Sequence, residues 1–389
     1  MKEQVYLPAV DSTALTELFC RLVAIDNPSY GERSMADAVT AHLRTLGLDV
    51  IEDGAAARVG GNAGNLYAYV PGVGALADAE PIAFCAHLDS VSPAVRKRAV
   101  VCADGRITSA GDTVLGADDL SAVASMLEAF RLLRQSGVAH RPLELIFTVC
   151  EEPYTLGSRM LSETELPLRA KNVFVPDLTG RVGTAALAAP SIVALTVTVH
   201  GRASHAGFAP EKGIHAIAVA ARALAGLQLG HVDPETTVGF GTIEGGTVPN
   251  AVPARCVLRG EIRGYSDARV WEEADKIRAT FEREAVLAGA TVEVQTERRT
   301  HAYAHGEESP VVQLFRRGCE AAGVPCELTR TFGGSDANTF AERGYRALVI
   351  ANAMEKIHSV QEYTEVEQMQ QLCRLLMALA TVCDNADNA

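Results

Sequence analysis

Carboxylates and histidines gather at the ends of apolar runs along this chain. The run Leu-Ile-Phe-Thr-Val-Cys ends on Glu151 beside Glu152, and Ala-Phe-Cys-Ala ends on His87 with Asp89 two positions on. Val-Leu-Gly-Ala leads into Asp118 and Asp119 ahead of a helical pattern, and Val-Phe-Val-Pro leads into Asp177. Side chains two apart on a strand share a face, so His87 and Asp89 point the same way. Neighbours such as Glu151 and Glu152 leave on opposite faces unless the backbone turns there.

Each group alone has an ordinary structural reading. Glu151 and Glu152 read as a solvated acidic loop, His87 as a histidine held by its neighbour, Asp118 and Asp119 as helix N-caps, and Asp177 as a loop carboxylate. Together they imply more. Strand ends line the ligand crevice of open α/β sheets, and that many negative charges repel one another unless a cation lies among them. One or two divalent metals remove the conflict. Histidine with aspartate and glutamate suits zinc, and the absence of a Cys-X-X-Cys pair argues against a closed structural site. His358, which follows the apolar run Ala-Leu-Val-Ile-Ala-Asn-Ala and precedes Glu362 and Tyr363, supplies the second imidazole that two metals require.

The elements that must position these groups alternate helix and strand in the first part of the chain. Leu15, Leu18, Phe19, Leu22 and Val23 fall at helical spacing behind a Ser/Thr cap at Ser12 and Thr13, and a second helix is predicted from about Glu32 to Leu46. Strands are predicted at Asn-Leu-Tyr-Ala-Tyr-Val, Ile-Ala-Phe-Cys-Ala-His-Leu-Asp and Leu-Glu-Leu-Ile-Phe-Thr-Val-Cys, with a long helix from Leu120 between the last two. This is the pattern of an α/β domain with a buried sheet. From about Ser191 the order becomes β-α-β-β-α-β, the ferredoxin-like unit, which closes near Arg299 before a further helix and strand follow. The reading is a catalytic domain of residues 1–190 and 300–389 with an inserted module of residues 191–299.

With 389 residues the chain exceeds one ordinary core. A net charge of −13 and the lack of a basic block argue against nucleic acid as a partner. The nine scattered cysteines, mostly inside apolar runs, read as reduced core residues. No segment approaches the roughly 18 apolar residues of a membrane span, and the first residues lack the apolar core of a signal peptide. A cytoplasmic protein without a membrane partner is expected.

The stretches GDTVLGADD, SHAGFAPEKG, FGGSDANTF and MEKIHSVQEY, in that order along the chain, resemble the di-zinc metallopeptidase family of peptidase T, carboxypeptidase G and the acetylornithine and succinyl-diaminopimelate deacylases. They are most similar to its peptidase T-like branch. The resemblance implies an α/β zinc-exopeptidase-type domain with a central mixed sheet flanked by helices, and an inserted ferredoxin-like lid or dimerisation domain. It implies that His87 and Asp177 hold one metal and Glu152 and His358 the other, with Asp118 bridging. The metals would be two zinc ions, with manganese or cobalt as alternatives. Asp89 would orient His87 by accepting its second ring hydrogen, and Glu151 would be the general base and acid.

In the inserted module, His205 would stabilise an oxyanion across a homodimer interface, and Asn250 and Arg263 would anchor substrate. Without the resemblance these read as a loop-capping histidine, a turn residue and a strand-end charge. The loop with Gly334 and Ser335 would contact substrate at the rim; otherwise it is a glycine turn whose Asp336 caps the next helix. Leu120, Gly239 and Gly264 depart from the residues expected of the branch, which bears on substrate choice and removes no ligand. The function implied is hydrolysis of short peptides, as a tripeptidase or aminopeptidase. An N-acyl amino-acid deacylase and a non-catalytic metal-binding relative are the alternatives.

Overall fold

The computed structural model describes residues 6–162 and 164–383. Two compact units divide the chain, Met1–Leu187 with His305–Ala389 and, inserted between these stretches, Ala188–Ala304.

The first unit is built on an eight-stranded mixed sheet. Its strands run in the order Val50–Glu52, Leu66–Val70, Leu143–Thr148, Ile82–His87, Asn172–Leu178, Arg346–Ala351, Thr184–Ala186 and Glu327–Thr329. The four central strands, from Leu143–Thr148 to Arg346–Ala351, are mutually parallel, so their carboxyl ends share one edge. Every residue of Ile82–His87 and Leu143–Thr148 is buried, as both-face coverage by helices demands.

Helix Ala117–Ser136 is buried along most of its length and packs on helices Ser12–Val23 and Val366–Thr381. Leu120, a departure from the branch pattern, is fully buried in it.

Two expectations need correction. The first helix is capped by Asp11, whose Oδ1 accepts from Thr13 N and Ala14 N at 2.8 and 3.3 Å, while Ser12 and Thr13 lie inside the helix. Aspartate one position earlier wins because its carboxylate reaches two exposed first-turn amides at once.

Asp177, expected in a loop, lies within strand Asn172–Leu178. Its pairing with Arg346–Ala351 slips there: Pro176 faces Ile350 and Leu178 faces Ala351, leaving Asp177 as the extra residue. Such a bulge re-aims a side chain. Pro176 is tolerated at this irregularity.

The second unit is a five-stranded antiparallel sheet in the order Gly230–Asp233, Thr236–Gly245, Arg255–Gly264, Ser191–His200 and Thr291–Thr300. Without the short edge strand Gly230–Asp233, the order and the two helices Ala216–Ala225 and Asp267–Ala288 are those of the ferredoxin-like unit. Val270, Ala274, Ile277 and Phe281 of the longer helix are buried in this unit's own core with Val193, Val197 and Leu258 of the sheet. Pairing of Tyr303–Ala304 with Ala188–Ala189 closes the unit at its base.

Candidate metal centre

The carboxyl ends of the parallel strands in the first unit carry the acidic groups. His87 is the last residue of Ile82–His87, and its Nε2 lies 2.9 Å from Asp118 Oδ1. His358 Nε2 lies 3.2 Å from Asp118 Oδ2 and 3.1 Å from Glu152 Oε2. Asp118 thus faces one histidine with each oxygen. Potential ligand atoms of His87, Asp118 and Glu152 all lie within 4.8 Å of one another, as do those of His87, Glu151 and Asp177. Chain positions far apart in sequence converge on two overlapping clusters that share His87.

Local backbone explains these placements. Gly116, at φ +80, precedes helix Ala117–Ser136, and Asp118 and Asp119 retain non-helical dihedrals within its first turn. Neither caps the helix. Asp119 turns inward, accepting from His87 N at 3.2 Å and from the buried Asn352 side chain. Glu362 accepts from Gly116 N at 2.8 Å and Asp118 N at 2.9 Å, fixing the backbone that presents Asp118. Burial, and then the nearby Asp118 charge, push the Glu362 carboxyl up to about 7, although those amide bonds oppose the shift. His358 lies in a loop where Ala353, Lys356 and His358 itself adopt left-handed φ values of 74, 52 and 58°. Non-glycine residues held there concentrate at functional sites.

Glu151 and Glu152 lie at the start of the turn after strand Leu143–Thr148, which closes where Leu156 N donates to Cys150 O at 2.9 Å. Gly157 permits the close return of the chain, since a Cβ there would lie 1.9 Å from Val149 O. Glu151 is 8% exposed, and burial followed by the Asp177 charge holds its carboxyl well above the usual range. Burial and the Asp118 charge likewise raise Asp177. Burial also works to raise Asp118, but the hydrogen bonds from His358 and His87 outweigh it and bring Asp118 below its ordinary value. Glu152 Oε1 is buried without a hydrogen-bond partner. An orphaned carboxylate oxygen among mutually repelling acids and two imidazoles is the donor set that a pair of divalent cations satisfies.

Asp89 lies behind His87 and makes further contacts of its own. The His87 Nδ1 lies 3.0 Å from the Asp89 backbone carbonyl and 3.4 Å from its carboxylate. That carboxylate also accepts from the amides of Glu151 and Glu152 and from Ser29 Oγ, at 2.9, 3.2 and 2.7 Å.

Ser335, buried, caps helix Asp336–Glu342 through a capping box with Asn338, while Gly334 beside it is half-buried. The Asp336 carboxylate does not cap that helix; it accepts from Thr148 and Ser158. Glu32, Asn65, Asn352 and the Asp336 carboxylate also support the site through hydrogen bonds that no spacing in the sequence signals.

His205, Asn250 and Arg263 belong to the second unit. The His205 Nδ1 accepts from Gly207 N and Phe208 N at 3.1 and 3.3 Å, which places the ring hydrogen on Nε2. The His205 ring lies against Phe208, with centroids 4.3 Å apart. Asn250 is exposed, and its carbonyl accepts from Ala206 N at 3.0 Å, tying its turn to the His205 loop. Arg263 donates through Nε to Glu261 at 2.7 Å.

Comparison with known proteins places these features in a family. Residues 187–288 match the model of the peptidase dimerisation domain and residues 65–220 that of peptidase family M28. The chain is 32% identical to the uncharacterised protein YqjE of Bacillus subtilis (strain 168), covering 95% of this chain and 98% of that one. Aminopeptidase PepT from Bacillus cereus ATCC 10987 superposes with a TM-score of 0.86 at 32% identity, covering 96% of this chain and 98% of that one. A tripeptidase from Staphylococcus aureus superposes with a TM-score of 0.91 at 27% identity over 96% and 99% of the two chains. The converging acids and imidazoles, the inserted dimerisation module and these full-length likenesses agree: the chain belongs to the metallopeptidase family of peptidase T, carboxypeptidase G2 and acetylornithine deacetylase, in its peptidase T-like branch.

Proposed function

We propose that the chain is a zinc-dependent exopeptidase that hydrolyses short peptides, tripeptides above all, from their amino end. The observation that carries this reading is the division of the Glu151–Glu152 pair: Glu152 meets His358 and Asp118, while Glu151 is buried toward His87 and Asp177. In this reading His87 and Asp177 hold one ion, Glu152 and His358 the other, and Asp118, with one oxygen toward each imidazole, serves both. Bound there, divalent ions supply polarisation of the scissile carbonyl and lower the proton affinity of water. Glu151 takes a proton from the attacking water and later delivers it to the nitrogen of the leaving amine. The mixed nitrogen and oxygen donor set favours zinc, with manganese or cobalt as substitutes.

His205, with its hydrogen on Nε2, would donate to the developing oxyanion of a partner subunit in a homodimer formed through the second unit. Asn250 and Arg263 would engage substrate polar groups, and the backbone of Gly334 and Ser335 would line the rim. Light scattering that finds only monomer in an active preparation removes the cross-subunit role. Among the described residues no helix is long and apolar enough to cross a membrane, and a cytoplasmic setting fits a peptidase acting on short peptides.

The same scaffold serves deacylases, so the experiment compares free and amino-blocked tripeptides beside N-acetyl and N-succinyl amino acids. An aminopeptidase site should favour the free amine by about 10²-fold or more, because a blocked amine leaves buried polar groups unpaired. Preference for the blocked compounds would assign deacylation instead.

A further inference from the structure

The turn that carries the two glutamates is held by side chains from distant stretches of the chain, Asn65, Glu32 and Asp89. Four consecutive amides after strand Leu143–Thr148 donate to side-chain acceptors. Val149 N reaches Asn65 Oδ1 at 3.1 Å, Cys150 N reaches Glu32 Oε1 at 3.0 Å, and the amides of Glu151 and Glu152 reach the two oxygens of Asp89. We propose that Glu32 is a positioning residue for the Glu151–Glu152 pair, acting with Asp89 as a clamp on the turn at Cys150. The inference rests on the roles proposed above for the two glutamates.

Cys150 is the pivot. Its φ of 50° lies in the left-handed region, which residues bearing a Cβ avoid. Held in that conformation, Cys150 sets the directions in which the next two side chains leave, one toward His87 and Asp177 and one toward Asp118 and His358. Something must hold it there. Glu32 is fully buried, and the same Oε1 also accepts from the Cys150 thiol at 3.2 Å and from Tyr30 N at 3.0 Å. Tyr30 is itself left-handed, with φ 69°. The preceding Ser29 donates to Asp89, so the segment from Ser29 to Glu32 joins both halves of the clamp. Removing the Glu32 carboxylate frees Cys150 to relax to negative φ, which swings the following peptide and both carboxylates with it.

The test compares Glu32→Ala, Glu32→Gln and the double variant Glu32→Ala with Cys150→Gly, all in the full metal-loaded chain. Glu32→Ala should lower kcat by about 10- to 100-fold, the range for a group that orients others, with KM nearly unchanged. Glutamine keeps an acceptor oxygen for the Cys150 amide and should restore kcat to within a few-fold. Glycine adopts the left-handed conformation without a Cβ penalty, so the double variant should regain much of the loss. In metal-free protein the Cys150 and Glu151 amides of Glu32→Ala should exchange hydrogen faster than in the wild type. If alanine does not fold, Glu32→Ser, too short to reach the amide, gives the same readings.

Wild-type kcat in Glu32→Ala overturns the proposal, as does a loss that neither glutamine nor Cys150→Gly relieves. Wild-type turnover that survives complete metal removal would fail the functional reading itself, whereas metal-dependent wild type with unaffected Glu32 variants fails only this inference.

Discussion

Glu151→Gln is expected to keep both metals and to lower kcat by about 10²–10⁴-fold, the share of a reaction barrier that a positioned general acid and base removes. Glutamine preserves size and shape at a site that is only 8% exposed, so packing around it should persist. What is lost is the ability to take up a proton. Burial and the Asp177 charge hold the Glu151 carboxyl well above its ordinary range, which fits a group that must bind a proton transiently and release it. KM should change little, because the proton transfer is made in the transition state rather than in substrate binding. Glu151 also lies within ligand distance of His87 and Asp177, so the competing role is that of a ligand. Metal content separates the two: a base leaves stoichiometry intact in the variant, whereas a ligand loses an ion. Near-normal kcat rules out the assigned role outright.

Metal removal is expected to abolish turnover, and its pH dependence follows from the two histidines. Hydrogen bonds that its ring donates to Asp118 and Glu152 push the His358 imidazole up to about 10 in the metal-free chain. Burial opposes the charge on His87, but Asp118 and Asp89 outweigh it and hold that imidazole well above its usual value. Both shifts favour the protonated imidazole in the metal-free chain. A metal takes neutral imidazole, so loading must expel those protons. The sign is fixed: affinity falls as pH is lowered, because protons compete for the same nitrogens. Each proton displaced gives roughly a tenfold change in affinity per pH unit near neutrality. Calorimetry of zinc binding in buffers of different ionisation enthalpy reads the release directly. Binding without proton release would contradict the ligand assignment.

The parts of the site that were legible in the sequence are those where an apolar run stops on a charged residue. His87, Asp118, Glu151 and Glu152 stand at or beside such points, because buried strands and helices leave a clear hydrophobic trace, and His358 follows the run of Arg346–Ala351 after a short loop. Asp177 was visible as a residue but not as part of a strand, since only the slipped pairing with Ile350 and Ala351 carries the strand past Pro176. The ferredoxin-like order was legible because alternation of strand and helix is local, while the two-residue pairing of Ala188–Ala189 with Tyr303–Ala304 gives no such trace.

Residues that work through backbone amides were invisible. Glu32 holds Cys150 across 118 positions and Asn65 holds Val149 across 84, and neither contact leaves a periodic or spacing signal. The role expected for Asp89 came from the likeness of its motif, and only coordinates could reveal that its carboxylate faces the amides of Glu151 and Glu152. Ser335 shows the converse case, a motif residue whose hydroxyl is committed to starting a helix.

The most direct test is a titration of metal-stripped enzyme with zinc, reading activity and bound metal together. The overlapping His87–Asp118–Glu152 and His87–Glu151–Asp177 clusters predict that hydrolysis of a free tripeptide is absent at the start and reaches its plateau as bound zinc reaches about two equivalents per chain. Full turnover in protein shown by elemental analysis to hold no stoichiometric transition metal would contradict the account at its root.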